Sequence, residues 1–225
     1  MSLYYKIMCY SAPVSISYFA IMLVVIIYLF KRNKNNDRFY ASIFFCVNLV
    51  QLGEYFIWKN LKNPEMNRIG SKIIKLAIYA QPLALFGGAL YFGKINPKYK
   101  VLFNYIAYFY IFIFGIEFAN ILFNKSSNLK IVKNSGNHLN WKQNLFNNTV
   151  FNADFIGIIY TLTFAFFIFD DNVKRGLIIA AVIYLMLAIN YFQLKNNDTW
   201  KSMWCFLGNF TPIIYLFITS KIMNM

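Results

Sequence analysis

Apolar residues along this chain of 225 residues are grouped into seven long stretches, which short polar segments separate. A transmembrane helix needs roughly 20 mostly apolar residues to cross the hydrocarbon core, and each stretch comes close to that length. Together they predict an all-α fold, a polytopic bundle of seven transmembrane helices that forms one domain over residues 1–225. The predicted spans are 11–30, 39–58, 73–93, 101–123, 151–169, 176–192 and 203–220.

Composition supports a membrane location. The chain is 59% hydrophobic and 13% charged, whereas soluble domains average roughly 45–50% apolar and about 25% charged residues. The net charge of +14 comes from Lys and Arg residues in short clusters between the apolar stretches. Such clusters set topology and attract lipid headgroups. Because the basic helix or groove of a nucleic-acid binder is missing, the predicted partner is the lipid bilayer and not nucleic acid.

The basic segments also predict an orientation. The first stretch reads as a true span rather than a cleaved signal peptide, and the basic segment 31–38 follows it directly. The positive-inside rule places this segment in the cytoplasm. The segment 59–75 is also basic and argues for the reverse, but the loops that begin at Lys31, Lys94 and Asp170 are short and basic. We therefore predict an N-terminus outside and a C-terminus in the cytoplasm.

The longest polar segment, 124–150, then lies on the outer side. Residues 134–137 (Asn-Ser-Gly-Asn) stand between two short stretches that contain apolar residues, which is typical of a turn between strands. We predict a short β-hairpin over the outer mouth of the bundle, where it would cap and gate a cavity. A flexible loop is the alternative.

Two parts of the chain resemble each other. Residues 54–60 and 190–196 match at four of seven positions, and they end the second and sixth predicted spans. Internal repeats organise many transporters. The match predicts two parallel repeats, 11–93 and 151–220, with the helix 101–123 as the link between them. Chance similarity among helices rich in Phe and Tyr is the alternative.

The third and seventh spans each carry a polar residue followed by proline, at Pro82 and Pro212. These prolines are candidate hinges, or static kinks, because membrane helices tolerate proline. A plan of three, one and three helices resembles the sugar-exporter and PQ-loop transporter families. The diagnostic Pro-Gln dipeptide of those families is absent, since the order here is Gln81-Pro82.

A second resemblance rests on two short motifs, Met-Cys-Tyr-Ser-Ala-Pro-Val-Ser at residues 8–15 and Gln-Leu-Gly-Glu-Tyr-Phe-Ile-Trp at residues 51–58. They resemble an uncharacterised family of multi-pass membrane proteins from large DNA viruses and protists. The resemblance implies a viral membrane protein and no particular activity.

Acidic residues inside spans are costly and therefore carry a functional hypothesis. Glu54 and Glu117 lie within predicted spans and Asp154 lies at the start of one, all three in the outer leaflet. We predict an acidic cavity open to the non-cytoplasmic side, with Glu54 as the carboxylate that attracts or couples a cation. Simple hydrogen bonds between helices are the alternative for the polar residues. The predicted polar contacts are Gln51, Gln81, Asn190 and Asn209.

Enzyme chemistry finds no support in the motifs. The chain has no Walker loop, no metalloprotease or nucleophile-elbow motif, and no Cys/His spacing that would bind a metal, so we predict no enzyme activity, no metal and no cofactor. Cys46 should be an isolated buried thiol. Cys9 and Cys205 both lie near the outer side and could form a disulfide, or remain free thiols.

These features predict an integral membrane transporter or channel for a small solute or cation. A seven-helix receptor or sensor is the first alternative, without retinal because no lysine lies deep in the last span. A structural membrane protein, or one that modulates a partner, is the second.

Overall fold

The computed structural model describes residues 11–34, 36–124, 131–133, 139–141, 146, 148–194 and 210–221. Helices dominate this part of the chain. We number them α1 (Ala12–Arg32), α2 (Asp37–Lys59), α3 (Pro64–Tyr91), α4 (Lys100–Phe123), α5 (Ala153–Thr163), α6 (Val173–Leu194) and α7 (Thr211–Lys221). A 3₁₀ turn at Pro97–Tyr99 precedes α4, and a 3₁₀ segment at Phe164–Phe169 continues α5.

Four of the helices, α1 to α4, are long and apolar enough to cross a membrane. The helical fold class is therefore confirmed, but seven full-length spans are not. The α-helical part of α5 has 11 residues, and α7 also has 11. The predicted seventh span began at residue 203, but the described helix begins at Thr211, and residues 201–209 lie outside the described part of the chain.

Helix α3 begins nine residues before the predicted third span, because hydropathy detects the apolar part of a helix and not its polar first turns. The side chain of Asn63 accepts hydrogen bonds from the backbone N–H groups of Glu65 and Met66, at 3.1 and 3.3 Å. Pro64 takes the first helical position, where its missing N–H costs nothing. These are ordinary start signals of a helix, and they place Glu65 in the first turn.

The centre of the bundle is the pair α2 and α3. In the most apolar stretch of 18 residues in each of these two helices, 61% of the residues are buried. The corresponding fractions are 22% in α1 and 33% in α4. Gly53 of α2 and Gly70 of α3 let the two backbones approach closely. A Cβ atom added at Gly53 would lie 2.8 Å from the Gly70 carbonyl oxygen and 2.5 Å from Ile74 Cγ1. Small residues at a crossing are typical of helix pairs in membranes.

Three short loops meet at one end of the bundle, which we call the short-loop end (residues 33, 34 and 36, residues 92–96 and residues 170–172). The backbone N–H of Lys94 donates to Asn36 Oδ1 at 3.0 Å, and that of Asp171 donates to the Lys94 carbonyl oxygen at 2.9 Å. Ile95 and Asp170 form an antiparallel β-bridge. The three loops therefore lie at one end of the bundle, and consecutive helices from α1 to α6 alternate in direction.

At the opposite end, which we call the hairpin end, strands β1 (Ile131–Lys133) and β2 (Leu139–Trp141) pair antiparallel, with Val132 opposite Asn140. This pairing agrees with the predicted hairpin. Leu139 is fully buried and belongs to the hydrophobic core. An isolated two-stranded hairpin is marginal in water, so this contact stabilises it against the helices.

The outside of the bundle is apolar over long stripes. Helix α4 exposes Val101, Tyr105, Tyr108 and Phe112, one residue on each turn, and each is more than 60% exposed. Helix α1 exposes Ile21, Val24 and Tyr28 in the same way. Contiguous apolar surfaces of this kind mark contact with lipid or with another protein.

Candidate functional site

One face of α2 carries polar side chains through the interior of the hairpin half of the bundle. Asn48, Gln51 and Glu54 recur at every third residue, and all three are fully buried. The amide Nδ2 of Asn48 donates to the backbone oxygen of Phe19 in α1 at 3.0 Å. Two of the predicted site residues, Gln51 and Glu54, therefore lie together, and Asn48 joins them.

Glu117 of α4 is also fully buried, but it serves a different segment. Its two carboxylate oxygens accept hydrogen bonds from the backbone N–H groups of Val150 and Phe151, at 3.1 and 2.8 Å. Lys75 of α3 is 2% exposed and is attracted electrostatically by Glu117. The ammonium group is therefore buried inside the bundle. A lysine that extends to the lipid headgroups would instead be exposed at the surface. Glu117 holds the chain in place just before α5.

Gln81 connects α3 to α5, because its Oε1 accepts a hydrogen bond from the hydroxyl group of Tyr160 at 2.7 Å. Pro82 follows it within an uninterrupted helix. Pro212 lies in the first turn of α7, where a proline fits the start of a helix. Asp154 is exposed on the first turn of α5.

Four other predicted residues lie partly or wholly outside the described part of the chain. Asn190 lies on α6, but its side chain falls outside the described residues, as do Asn209, Cys9 and Cys205 in full. Cys46 is a free, buried thiol on α2, as expected. Within the described part of the chain, no group of three or more His, Cys, Asp or Glu residues could hold a metal ion.

A second buried polar group at the short-loop end is absent from the predicted site. Its centre is an ion pair between Asp170 and Arg175, whose side chains are 1% and 2% exposed. The Asp170 carboxylate also accepts hydrogen bonds from Tyr40 at 2.7 Å and from Asn36 Nδ2 at 3.2 Å. The guanidinium group also binds Asp171, at 2.6 Å.

Next to this ion pair, Arg32 and Asp37 form a bidentate ion pair. The guanidinium group of Arg32 donates two hydrogen bonds to the Asp37 carboxylate, with nitrogen–oxygen distances of 2.7 and 2.8 Å. The hydroxyl group of Tyr215 on α7 donates to the same carboxylate at 3.1 Å, and Arg32 donates to Thr219 at 3.0 Å. Planar, bidentate pairs of this type are the strong form of the salt bridge. We call the two ion pairs and their partners the end cluster; it connects α1, α2, α6 and α7.

Aromatic rings close the bundle directly beneath the end cluster. Tyr40 lies with its ring centre 4.5 Å from that of Tyr215 and stacks on Phe167 at 5.5 Å. Phe44 contacts Tyr215 from the next turn of α2, at 5.8 Å. The end cluster and this aromatic layer together fill the interior at the short-loop end.

The two carboxyl groups beside Arg175 differ in acidity. Burial of Asp170 works to raise the pKa of its carboxyl group, but the hydrogen bonds and charge of Arg175 outweigh burial, and the pKa lies below its ordinary value of 3.8. Burial and the neighbouring Asp170 raise the pKa of Asp171 above that value. Asp170 is therefore the carboxylate that compensates the buried guanidinium charge.

The sequence offered little signal for the end cluster. Arg32, Asp37, Asp170 and Arg175 all lie at the ends of apolar stretches, where charged residues usually contact water and headgroups. Only the spacing of Arg32 and Asp37 and of Asp170 and Arg175, five residues across a turn in each case, sets them apart. Burial by other helices gives these charges their role.

No family model, curated protein or solved structure matches the chain.

Proposed function

We propose that the chain is an integral membrane protein that transports a small solute or cation, with its short-loop end in the cytoplasm and its N-terminus outside. Four membrane-length apolar helices and the exposed apolar stripes on α1 and α4 support membrane insertion. The resemblance of residues 8–15 and 51–58 to viral and protist membrane proteins implies no activity. The transport role rests on the interior of the bundle.

Seven spans remain part of the proposal. Helix α6 has 22 residues, or ~33 Å at 1.5 Å per residue. The 17 residues of α5 and its 3₁₀ continuation reach ~28 Å, because a 3₁₀ helix rises about 2.0 Å per residue. Both lengths are near the ~30 Å of a hydrocarbon core. The repeat of 11–93 and 151–220 stays a prediction as well.

The observation that carries the proposal is the interior face of α2. Tyr40, Phe44, Gln51 and Glu54 lie within roughly 80° of one another at 100° per residue, and they extend over ~21 Å of helix. At the short-loop end this face is closed by the aromatic layer and the end cluster. Towards the hairpin end it becomes polar and acidic. Because Gln51 and Glu54 are themselves fully buried, this is an occluded polar site, a state through which alternating access passes.

In this mechanism Glu54 is the carboxylate that attracts or couples a cation. Buried carboxylates in spans are expensive and are found where ions or protons pass. The end cluster is the inner closure, which must separate when the site opens to the cytoplasm. No catalytic step is involved. Glu117, which holds the backbone before α5, is a positioning residue.

Flux through proteoliposomes tests this function. Purified protein is reconstituted, and uptake of ²²Na⁺, ⁸⁶Rb⁺ and protons is measured against empty vesicles. We expect protein-dependent flux that Glu54→Gln lowers at least ten-fold. Glu65→Gln removes the same charge from an exposed position on α3 and should leave flux unchanged. Equal flux in the wild type and Glu54→Gln would refute the role of Glu54, and no flux at all would favour a receptor or structural protein.

A further inference from the structure

Four buried polar atoms on α1 and α2 lack a hydrogen-bond partner. They are the hydroxyl oxygen of Ser15, Oδ1 of Asn48, and both Oε1 and Nε2 of Gln51. All three side chains are fully buried. Leaving such a group unpaired in the interior is unfavourable, and unpaired groups in native proteins call for an explanation. Four of them on two helices that pack against each other indicate that something else completes their hydrogen bonds.

Their positions along the two helices place them within ~6 Å of one another in depth. Ser15 belongs to the buried stripe of α1 that also holds Met22 and Ile26. Asn48 contacts α1 at Phe19, so these two residues define the register of the antiparallel pair. Ser15 lies one turn from Phe19 towards the hairpin end, ~6 Å along the axis, and Gln51 lies ~4.5 Å from Asn48 in the same direction.

Asn48 is also oriented. Because its Nδ2 donates to Phe19, the opposite side of the amide, Oδ1, remains for another donor. Gln51 offers an acceptor and a donor, and Ser15 can do either. The set is therefore mixed in polarity and formally uncharged. A bare cation would bind the oxygen atoms but leave the amide N–H group of Gln51 unpaired. An anion would accept from that N–H group but leave the amide oxygens unpaired.

We propose that Ser15, Asn48 and Gln51 form a binding site for a small neutral solute that carries hydroxyl groups, such as a short polyol. A hydroxyl group both donates and accepts, so adjacent hydroxyl groups match acceptors and donors placed side by side. This inference rests on the proposed transport function and names its substrate class. Glu54 lies three residues after Gln51 on α2 and is buried as well. It keeps the separate role of attracting or coupling a cation.

Equilibrium binding tests the site without requiring transport. The full chain in nanodiscs is titrated with radiolabelled glycerol and erythritol, and with ²²Na⁺ as the charged comparison. We expect saturable polyol binding that Gln51→Leu weakens at least ten-fold. Ser42→Ala on the same helix removes a hydroxyl group that already bonds to the backbone oxygen of Phe39, and binding should not change.

Thermal stability separates a site from a structural contact. Gln51→Leu replaces two unpaired polar atoms with an apolar side chain, so the Tm of the ligand-free protein should stay the same or rise. A Tm lowered by several degrees would mean that Gln51 has a structural partner, and would overturn the proposal. Absence of polyol binding in the wild type would overturn it too and leave ordered water as the occupant. Cation flux that depends on Glu54 would then still support the transport function.

Discussion

Removing Arg175 should destabilise the protein strongly, because Asp170 would keep a charge in a buried place. Both side chains are at most 2% exposed, so solvent screens the pair little. Breaking a buried pair by removing one partner costs about 3–5 kcal/mol. At about 2–4 °C per kcal/mol for a chain of this size, Arg175→Gln should lower the Tm by roughly 6–20 °C.

The buried thiol of Cys46 makes the measurement direct. Cys9 and Cys205 are replaced by Ser, and the protein is heated in detergent with a thiol-reactive fluorophore. Unfolding exposes Cys46, and the reaction of its thiol with the fluorophore gives the Tm. Lys174→Gln is the matched control, since it removes the same charge from the adjacent exposed position. Its effect should stay below about 1 kcal/mol.

A double variant decides whether the pair itself is responsible. Asp170→Asn combined with Arg175→Gln removes both charges, so its Tm should lie well above that of Arg175→Gln alone. If Arg175→Gln and Lys174→Gln shift the Tm equally, the buried-pair argument is wrong. It is equally wrong if the two single effects simply add in the double variant.

Three further predictions use the same stability assay or the predicted topology. Gly53→Ala would place a Cβ atom 2.5 Å from a side-chain atom of α3 and should lower the free energy of unfolding by about 1–3 kcal/mol. Gly87→Ala is the control, because position 87 faces open space and the change should be neutral or stabilising. Equal effects of the two variants would contradict the close crossing of α2 and α3. Because the folded pKa of Asp170 lies below 3.8, its stabilising contribution is present above that value and is lost as the pH falls through the lower folded pKa. Tm measured against pH should show this loss in the wild type and not in Asp170→Asn. Single cysteines are placed at Lys98 and Lys62 and labelled with an impermeant maleimide in sealed vesicles. The two positions should react from opposite sides of the membrane, with position 98 on the cytoplasmic side. Labelling of both positions from one side would refute the alternating topology.

Much of the architecture followed from the sequence because hydropathy and helix-start signals act locally. Asn63-Pro64 is a helix start that was present in the sequence, although apolar length alone placed the third span later. The pairing of residues 131–133 with residues 139–141 followed from turn residues between short apolar stretches. Gln51 and Glu54 were predicted together because residues three apart on a helix share a face.

The same reasoning grouped Glu117 with Glu54 because both are acidic and at similar depth. Depth does not specify a partner, and the structure directs Glu117 to the backbone of residues 150 and 151. Lys75, which is buried on α3, is likewise attracted electrostatically by Glu117. Such assignments depend on the rotation of each helix about its axis, which neighbouring helices determine.

The sequence by itself determined that this chain forms apolar helices of membrane length, and helices that alternate in direction bring three short loops to one end of the bundle. Both follow from local rules, the length of an apolar stretch and the alternation of direction between consecutive helices. Only the tertiary structure decided that Arg32, Asp37, Asp170 and Arg175 are buried ion pairs rather than charges in contact with headgroups. The partners that bury them, Tyr40 and Tyr215, are distant in the sequence, and packing of α2 against α7 brings them together.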